Sequence, residues 1–204
     1  MRLIRSEACI AEGTAWLVKT EPRFARVTGP VELRLREDGF AAVIEAIVGQ
    51  QVSTAAAAAI LGRLHVAGIE TEAQVLAAGE IGLAACGMSR PKIRYALALA
   101  DAGMDFAALR LLPDDDVIAQ LTAHKGIGRW TAEIYAIFAL GRADVMPAGD
   151  LALQVAAQHL FDLPQRPTEQ ELRVMARSWS PWRAVAARML FAYYRQVTSR
   201  KGIT

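Results

Sequence analysis

The chain has 204 residues, is 53% hydrophobic and carries a formal net charge of +2, so it can bury a sizeable core in one or two domains and is too apolar to be disordered. So small a net charge does not by itself indicate a nucleic-acid partner, and any basic surface must come from local placement of charges. Two cysteines cannot supply the four thiolates of an iron–sulfur cluster, and three scattered histidines lack ligand spacing, so we expect buried thiols and no metal held by side chains.

The N-terminal residues do not form a signal peptide pattern, because Arg5 and Glu7 interrupt the apolar stretch. No apolar run reaches the roughly 18 residues that a membrane span needs. We therefore expect a soluble, cytoplasmic protein with no membrane partner.

The spacing of apolar residues predicts helices along the whole chain and no convincing strand, so the predicted fold class is all-α. Gly49-Gln50-Gln51 break one long apolar stretch into two helices, and Ser53 is placed to cap the second. Ser89 and Pro91 open a later helix. In chain order, helices are expected at 7–20, twice within 39–68, then at 71–80, 81–86, 89–103, 113–126, 129–140, 151–161, 167–180 and 181–199.

The stretch Lys125-Gly126-Ile127-Gly128 interrupts this pattern, and a new helix begins at Arg129. Two glycines one residue apart are unfavourable within a helix, but they allow backbone angles and close approaches that a side chain would prevent. The N–H groups that follow lack partners inside the helix and can bind a phosphate. Ile127 is predicted to anchor the turn in the core. An ordinary helical corner remains the alternative.

A loop rich in glycine and proline, "DVMPAGD", ends at Asp150 just before the helix that begins at Leu151. Aspartate here is a good N-cap, worth about 1 kcal/mol. A helix N-terminus also favours an ionised carboxylate. The local sequence therefore leaves open a structural cap and a functional carboxylate, and the two roles can coexist.

The segment "LTAHKGIGRWTAEIYAIFALGRADVMPAGDLAL" resembles the helix–hairpin–helix, loop and catalytic aspartate of the HhH-GPD superfamily of DNA glycosylases. "AIVGQQVSTAAA", "GMSRPKIRYALALA" and "RSWSPWRAVAARML" are similar to its DNA-3-methyladenine glycosylase II branch, in a short form without the N-terminal β-containing domain of larger members. The resemblance implies a two-lobed all-α fold with a central cleft. One lobe would be a helical barrel at 36–149 with the hairpin at about 112–140, and the other would join 1–35 to 150–204.

The resemblance implies a monofunctional DNA glycosylase that hydrolyses the N-glycosidic bond of alkylated purines, such as 3-methyladenine and 7-methylguanine, in base excision repair. Asp150 would be catalytic, either stabilising the cationic sugar or activating the attacking water. The lysine nucleophile of lyase members is replaced here by Trp130, so we expect no lyase activity. A non-catalytic helix–hairpin–helix DNA-binding module and a glycosylase for another base lesion are the alternatives.

By the same resemblance, the flipped base would enter a pocket lined by Trp130, Ile134, Leu151 and Phe191. Trp130 would stack on the cationic base, with a core position as the alternative. Gln51 would fill the gap that the flipped base leaves, although glutamines at a helix break also serve as caps or solvated side chains. The full set of expected DNA contacts is Gln50, Gln51, Lys125, Gly126, Gly128, Arg129, Thr131, Arg90 and Lys92, of which Arg90 and Lys92 equally fit an ordinary solvated face.

The resemblance also implies that the backbone carbonyls of Thr122, His124 and Ile127 bind a monovalent cation, Na⁺ or K⁺, at the hairpin. No other cofactor and no iron–sulfur cluster is expected. The expected partner is double-stranded DNA containing alkylated bases, bound by a monomer. In a bacterium the protein would associate with the nucleoid.

Overall fold

A computed structural model describes residues 1–200, and the elements within them are helical, apart from an isolated antiparallel bridge between Leu3 and Arg142. The predicted all-α class is confirmed. None of the described helices is both long and apolar enough to cross a membrane. The α-helices are α1 (Glu7–Thr20), α2 (Phe40–Gly49), α3 (Thr54–Val66), α4 (Glu72–Ala85), α5 (Arg90–Asp101), α6 (Phe106–Leu109), α7 (Asp114–Thr122), α8 (Arg129–Phe138), α9 (Leu151–Leu160), α10 (Glu169–Met175) and α11 (Arg183–Arg200).

Short elements account for the differences between the predicted and observed helices. Helix α6 and the 3-10 helix Pro22–Arg26 were not predicted, because four or five residues are too few to show a helical period. A second 3-10 helix, Ala176–Trp179, directly continues α10. The two short helices expected over 71–86 form one element, α4, which is kinked at Gly79.

The chain divides into two compact units, which we call the hairpin unit (Arg36–Leu140) and the terminal unit (Met1–Leu35 with the chain from Gly141 onward). This boundary lies before the one expected after Gly149. The reason is that backbone hydrogen bonds join the segment that begins at Gly141 to the first residues of the chain. Ile4 N–H donates to the Gly141 carbonyl at 2.7 Å, and the N–H of Ala143 donates to the Arg2 carbonyl at 3.2 Å.

In the hairpin unit, α8 packs against α2 and α7, and α4 packs against α5. The faces that meet are apolar: Ile47, Leu121 and Ala132 have no exposed surface. The hydroxyl of Tyr135 on α8 accepts the N–H of Gly39 at 3.1 Å, which attaches the start of α2. Burial raises the pKa of Tyr135 to about 12, so this hydroxyl stays protonated at neutral pH.

In the terminal unit, α9 packs against α11, and the rings of Phe24, Phe161 and Trp179 form one cluster with centroids 5.3–5.5 Å apart. Asp144 attaches the loop before α9 to the start of α11. Its carboxylate accepts hydrogen bonds from Ser180 Oγ at 2.7 Å and from Arg183 Nε at 2.7 Å. Burial acts to raise the pKa of Asp144, but these hydrogen bonds outweigh it and leave the pKa lowered.

Candidate nucleic-acid interface and active site

A cavity of about 580 Å³ in the hairpin unit is lined by two short connections, the corner between α2 and α3 and the hairpin between α7 and α8. Most residues that the sequence predicts to contact DNA line it. They are Gln50, Gln51, Lys125, Gly126, Gly128 and Thr131. The predicted base-pocket residue Trp130 also lines it, as do Thr122, His124 and Ile127, whose carbonyls were assigned to a cation. The structure therefore brings the corner and the hairpin to one concave surface.

The two hairpin glycines differ in what the chain requires of them. Gly126 has φ +91°, and a Cβ at this position would lie 2.1 Å from Cγ of the Tyr95 ring, so both conformation and space exclude a side chain. Gly128 has φ −80°, and a Cβ there would meet nothing within 4 Å. Among the residues that the structure describes, none comes close enough to require glycine at 128, which leaves open space for an external molecule to approach the backbone. Ile127, between them, is buried as predicted.

Helix α8 begins at this open position. Gly128 is its N-cap and gives no side-chain cap, and the N–H groups of a first helical turn have no partners within the helix. The helix dipole adds partial positive charge at the same place. Lys125 is exposed beside it. Arg129 keeps 52% of its side chain exposed, while its Nε donates to the buried carboxylate of Glu133 at 2.9 Å. This end of α8 can bind an anion.

The two glutamines of the corner have different environments. Gln50 is half-buried, and its Nε2 donates to the Gly126 carbonyl at 3.0 Å and to Thr131 Oγ1 at 3.1 Å. An exposed placement of Gln50 is therefore wrong, because its amide is used inside the unit, whereas its predicted contact with DNA stays a prediction. Thr131 is only 2% exposed, and its predicted contact with DNA stays a prediction. Gln51 is exposed and adopts φ +55°, a strained conformation for a residue with a side chain.

Helix α5 supports both connections from one face. Lys92 is 8% exposed, and its Nζ donates to the carbonyl of Val48 at 2.7 Å, in the last turn of α2. The alternative of an ordinary solvated face is therefore wrong for Lys92, because its side chain binds a carbonyl at a helix C-terminus, and its predicted contact with DNA stays a prediction. Burial lowers the pKa of Lys92. Tyr95, one turn later, lies against Gly126. Arg90 is exposed at the start of α5, where its predicted role stays a prediction.

The predicted base-pocket residues are distributed over both units. Trp130 lines the hairpin-unit cavity and is half-buried, and Ile134 is half-buried one turn further along α8. In the terminal unit Leu151, the first residue of α9, is 58% exposed, and Phe191 is half-buried on α11. The pocket assignment stays a prediction.

Asp150 is the N-cap of α9 and is partly buried. Its Oδ1 accepts the N–H of Ala152 at 2.9 Å and the N–H of Leu153 at 3.3 Å. The structural role expected from the local sequence is thus present. The same hydrogen bonds fix the direction of the carboxylate, which a reactive group also needs.

The loop that ends at Asp150 is held by side chains from two helices. Gln154, one turn into α9, donates from Nε2 to the Ala148 carbonyl at 2.9 Å. Arg173 on α10 donates to the Met146 carbonyl at 3.3 Å and pairs with Glu169 at 2.8 Å. Both loop carbonyls are therefore satisfied by residues that lie outside the loop, which limits the freedom of the aspartate that follows.

Three of these supporting residues were not found from the sequence. Gln154 lies four residues after Asp150, a spacing that places both on one helix face and could have indicated it. Tyr95 lies three residues after Lys92, but only the fold shows that this face meets the hairpin. Arg173 is distant in sequence from the loop and carries no local signal.

Metal-ligand chemistry by side chains is not seen in the described chain. Across residues 1–200 no three His, Cys, Asp or Glu side chains are grouped closely enough to hold a metal ion. Cys86 is buried as expected, whereas Cys9, also expected to be buried, is only half-buried, and its Sγ lies 3.4 Å from Ser6 Oγ.

A two-glycine hairpin that opens a helix N-terminus to anions, in an all-helical chain, defines a helix–hairpin–helix protein. The HhH-GPD superfamily base excision DNA repair protein family matches residues 44–184. Because this match covers more than half of the chain, the protein belongs to that family, and the predicted family is confirmed.

Several similar proteins are 3-methyladenine DNA glycosylases by name. The chain is 32% identical over 163 residues to DNA-3-methyladenine glycosylase 1 of Schizosaccharomyces pombe, covering 74% of this chain and 71% of that protein. Its structure is similar to the DNA-3-methyladenine glycosidase of Bacillus halodurans, with TM-score 0.78, 30% identity, and coverage of 98% of this chain and 95% of that one. It is also similar to S. pombe 3-methyladenine DNA glycosylase (Mag1) in complex with abasic DNA, with TM-score 0.77, 29% identity and coverage of 88% and 95%.

Proposed function

We propose that this protein is a DNA glycosylase of base excision repair that hydrolyses the N-glycosidic bond of alkylated purines, 3-methyladenine first among them and 7-methylguanine and related lesions with it. The observation that carries the proposal is Asp150, an oriented carboxylate at the N-terminus of α9, in a chain whose relatives are named 3-methyladenine glycosylases.

The hairpin binds one phosphate of the damaged strand. The first N–H groups of α8 donate to the phosphate oxygens, Gly128 allows the backbone to approach, and Lys125 adds positive charge. Such contacts fix the position of the protein on the duplex and carry no sequence information.

The chemical step is hydrolysis assisted by Asp150. An alkylated purine carries positive charge, which weakens its bond to the sugar, and cleavage leaves an oxocarbenium-like sugar. A carboxylate beside that sugar stabilises the developing cation or removes a proton from the attacking water. The base leaves the stack before this step and is held against an aromatic surface, for which Trp130 is the candidate.

The experiment that tests this function is a base-release assay on a panel of duplexes, each with a single lesion. The panel contains 3-methyladenine, 7-methylguanine, 8-oxoguanine and a mismatch. We expect release of the alkylated purines. Release of 8-oxoguanine alone would favour the alternative of a glycosylase for another base lesion. Tight binding of every duplex without release of any base would favour a non-catalytic module.

The reaction ends at an intact abasic site, because Trp130 occupies the position at which lyase members carry a lysine nucleophile. A Schiff base requires an amine, and borohydride reduces it to a permanent adduct. We expect no covalent adduct when borohydride is added during turnover. A high yield of adduct would contradict the assignment.

A monovalent cation at the hairpin belongs to the same proposal. Thr122, His124 and Ile127 line the cavity, and backbone carbonyls are suitable ligands for K⁺ or Na⁺. The cation would join these carbonyls to the phosphate. DNA affinity should then differ between K⁺, Na⁺ and a bulky organic cation at fixed ionic strength, and equal affinities would remove the cation from the account. We further propose that the protein acts as a monomer.

A further inference from the structure

The corner between α2 and α3 and the hairpin between α7 and α8 are far apart in sequence but joined by one side chain. Gln50 Nε2 contacts two acceptors of the hairpin, the Gly126 carbonyl and Thr131 Oγ1, at 3.0 and 3.1 Å. Thr131 is buried, so both the threonine hydroxyl and the amide lose a partner if this contact is removed.

The residue after Gln50 has an unfavourable backbone. Gln51 is exposed with φ +55°, a conformation that is unfavourable for a residue with a side chain and persists only when its surroundings impose it. Gln50 precedes it on the corner, and Lys92 holds the last turn of α2 through the Val48 carbonyl. The corner is thus fixed from both α5 and the hairpin.

We propose that Gln50 is a positioning residue that fixes the corner between α2 and α3, which carries Gln51, relative to the hairpin between α7 and α8. Binding of a phosphate at the start of α8 then places Gln51 against the duplex at a defined distance. Gln50 itself touches no DNA in this account. This inference deepens the proposed function and rests on it, because a corner that probes the duplex is useful to a protein that recognises a missing or flipped base.

The position of the corner relative to the hairpin should affect binding to abasic DNA more than binding to undamaged DNA. Undamaged DNA is bound through its phosphates, and the hairpin remains supported by Tyr95 when Gln50 is changed. DNA with an abasic site offers a gap in the stack, which Gln51 reaches only if the corner is correctly placed. Loss of Gln50 should therefore reduce the preference for abasic DNA rather than binding in general.

The test is the ratio of affinities for a duplex with a stable abasic analogue and for the same undamaged duplex at one salt concentration. We expect Gln50→Leu to lower this ratio about threefold to tenfold, the range for one lost hydrogen bond. Affinity for undamaged DNA should change little. Thr131→Val removes one acceptor without changing side-chain size and should act in the same direction. Gln120→Leu, on the exposed face of α7, is the control substitution and should have no effect.

A double-mutant cycle separates positioning from general weakening. If Gln50 acts through Gln51, then Gln50→Leu should have little further effect on the ratio once Gln51→Ala is present. An unchanged ratio in both Gln50→Leu and Thr131→Val, equal losses on the two duplexes, or additivity with Gln51→Ala would each overturn the inference. If Gln50→Leu does not fold, a double-mutant cycle of Thr131→Val and Gln51→Ala on the same affinity ratio tests the inference in the same way.

The wild-type protein distinguishes this inference from the function on which it rests. Wild-type base release and preference for abasic DNA, with the preference unchanged in the variants, would overturn the inference and leave the proposed function standing. A wild-type protein with neither base release nor that preference would overturn both.

Discussion

Helices α8 and α9 each begin at a residue proposed to act on DNA, but they begin differently. Gly128 opens α8 without a side-chain cap, whereas Asp150 opens α9 and accepts two backbone N–H groups on its own carboxylate. An open N-terminus attracts a negative charge from outside the chain. An N-terminus that is capped by an aspartate already holds a negative charge, and the cap hydrogen bonds fix the direction of that carboxylate. The same helix-end electrostatics thus favours the proposed phosphate-binding site in one unit and an oriented carboxylate in the other.

The connections before these helices also differ in how they are supported. The hairpin is held by a buried isoleucine, a ring packed on Gly126 and the amide of Gln50. The loop before Asp150 is held through its carbonyls by Gln154 and by Arg173. Substitutions that interchange or weaken these features show whether the difference has the proposed functional meaning.

Removing the charge from the start of α9 should have the largest effect. In Asp150→Asn the amide oxygen still caps the helix, because asparagine is as good an N-cap as aspartate, so thermal stability and DNA affinity should stay near wild type. Release of 3-methyladenine under single-turnover conditions should fall at least roughly a hundredfold, the usual contribution of a positioned catalytic group. Release at close to the wild-type rate would mean that Asp150 is only a cap.

Adding a charge to the start of α8 is the reciprocal change. Gly128→Asp has room for its side chain, and aspartate would cap α8 itself, so the fold should be retained. The carboxylate would occupy the first N–H groups and repel the phosphate. Affinity for damaged and undamaged duplexes alike should fall roughly 10- to 100-fold, as a lost hydrogen bond to a charged group predicts.

Two alanine variants serve as controls for this reciprocal change. Gly128→Ala adds no charge and no cap, and should lose much less affinity than Gly128→Asp. Gly126→Ala should instead unfold more easily, because its Cβ collides with Tyr95. A folded Gly128→Asp protein that binds both duplexes with wild-type affinity would show that the hairpin is only a corner.

The support of the Asp150 loop should have a smaller effect on rate. Gln154→Leu removes the hydrogen bond to the Ala148 carbonyl and allows the aspartate to move, which should slow base release from bound DNA about tenfold. Affinity for the abasic analogue should not change, since no proposed DNA contact is altered. Gln165→Leu, in an exposed loop of the same unit, provides the comparison. A loss confined to affinity would argue that Gln154 contacts DNA rather than positions Asp150.

The smallest expected effect concerns stability. Asp144 has a lowered pKa in the folded protein, so its hydrogen bonds with Ser180 and Arg183 stabilise the fold above the unfolded pKa of about 3.9 and are lost as the pH falls through the folded value. Asp144→Asn should lower the free energy of unfolding at pH 7 by about 1–2 kcal/mol, allowing for partial exposure. Urea unfolding should show this difference shrinking below pH 4. A difference independent of pH would assign it to packing instead.

Local rules explain what the sequence predicted well. The observed start of α8 follows the second hairpin glycine, that of α9 follows a good N-cap, and Ile127 is buried, because each depends on a few adjacent residues. The family and its fold class also follow from motifs that are contiguous in the chain.

The contacts that the sequence did not show involve residues whose partners lie far away in sequence. Lys92 lies in a segment whose composition is typical of a solvated face, but its Nζ donates to a carbonyl at the end of α2. Gln50 Nε2 donates to Thr131 Oγ1, which lies on a helix far away in sequence. The boundary between the units was displaced because the segment after Gly141 bonds to the first residues of the chain. No periodicity within a helix contains this information, since it arises only when two distant segments pack together.

The most direct test of the account is the product analysis of one reaction, in which the purified protein acts on a duplex containing a single 3-methyladenine. The account predicts that chromatography recovers the free methylated base at a rate well above that of a sample without protein. The DNA strand should remain unbroken until alkali or heat cleaves it at the abasic site. A folded protein that binds this duplex but releases no base above the protein-free control would contradict the proposed function.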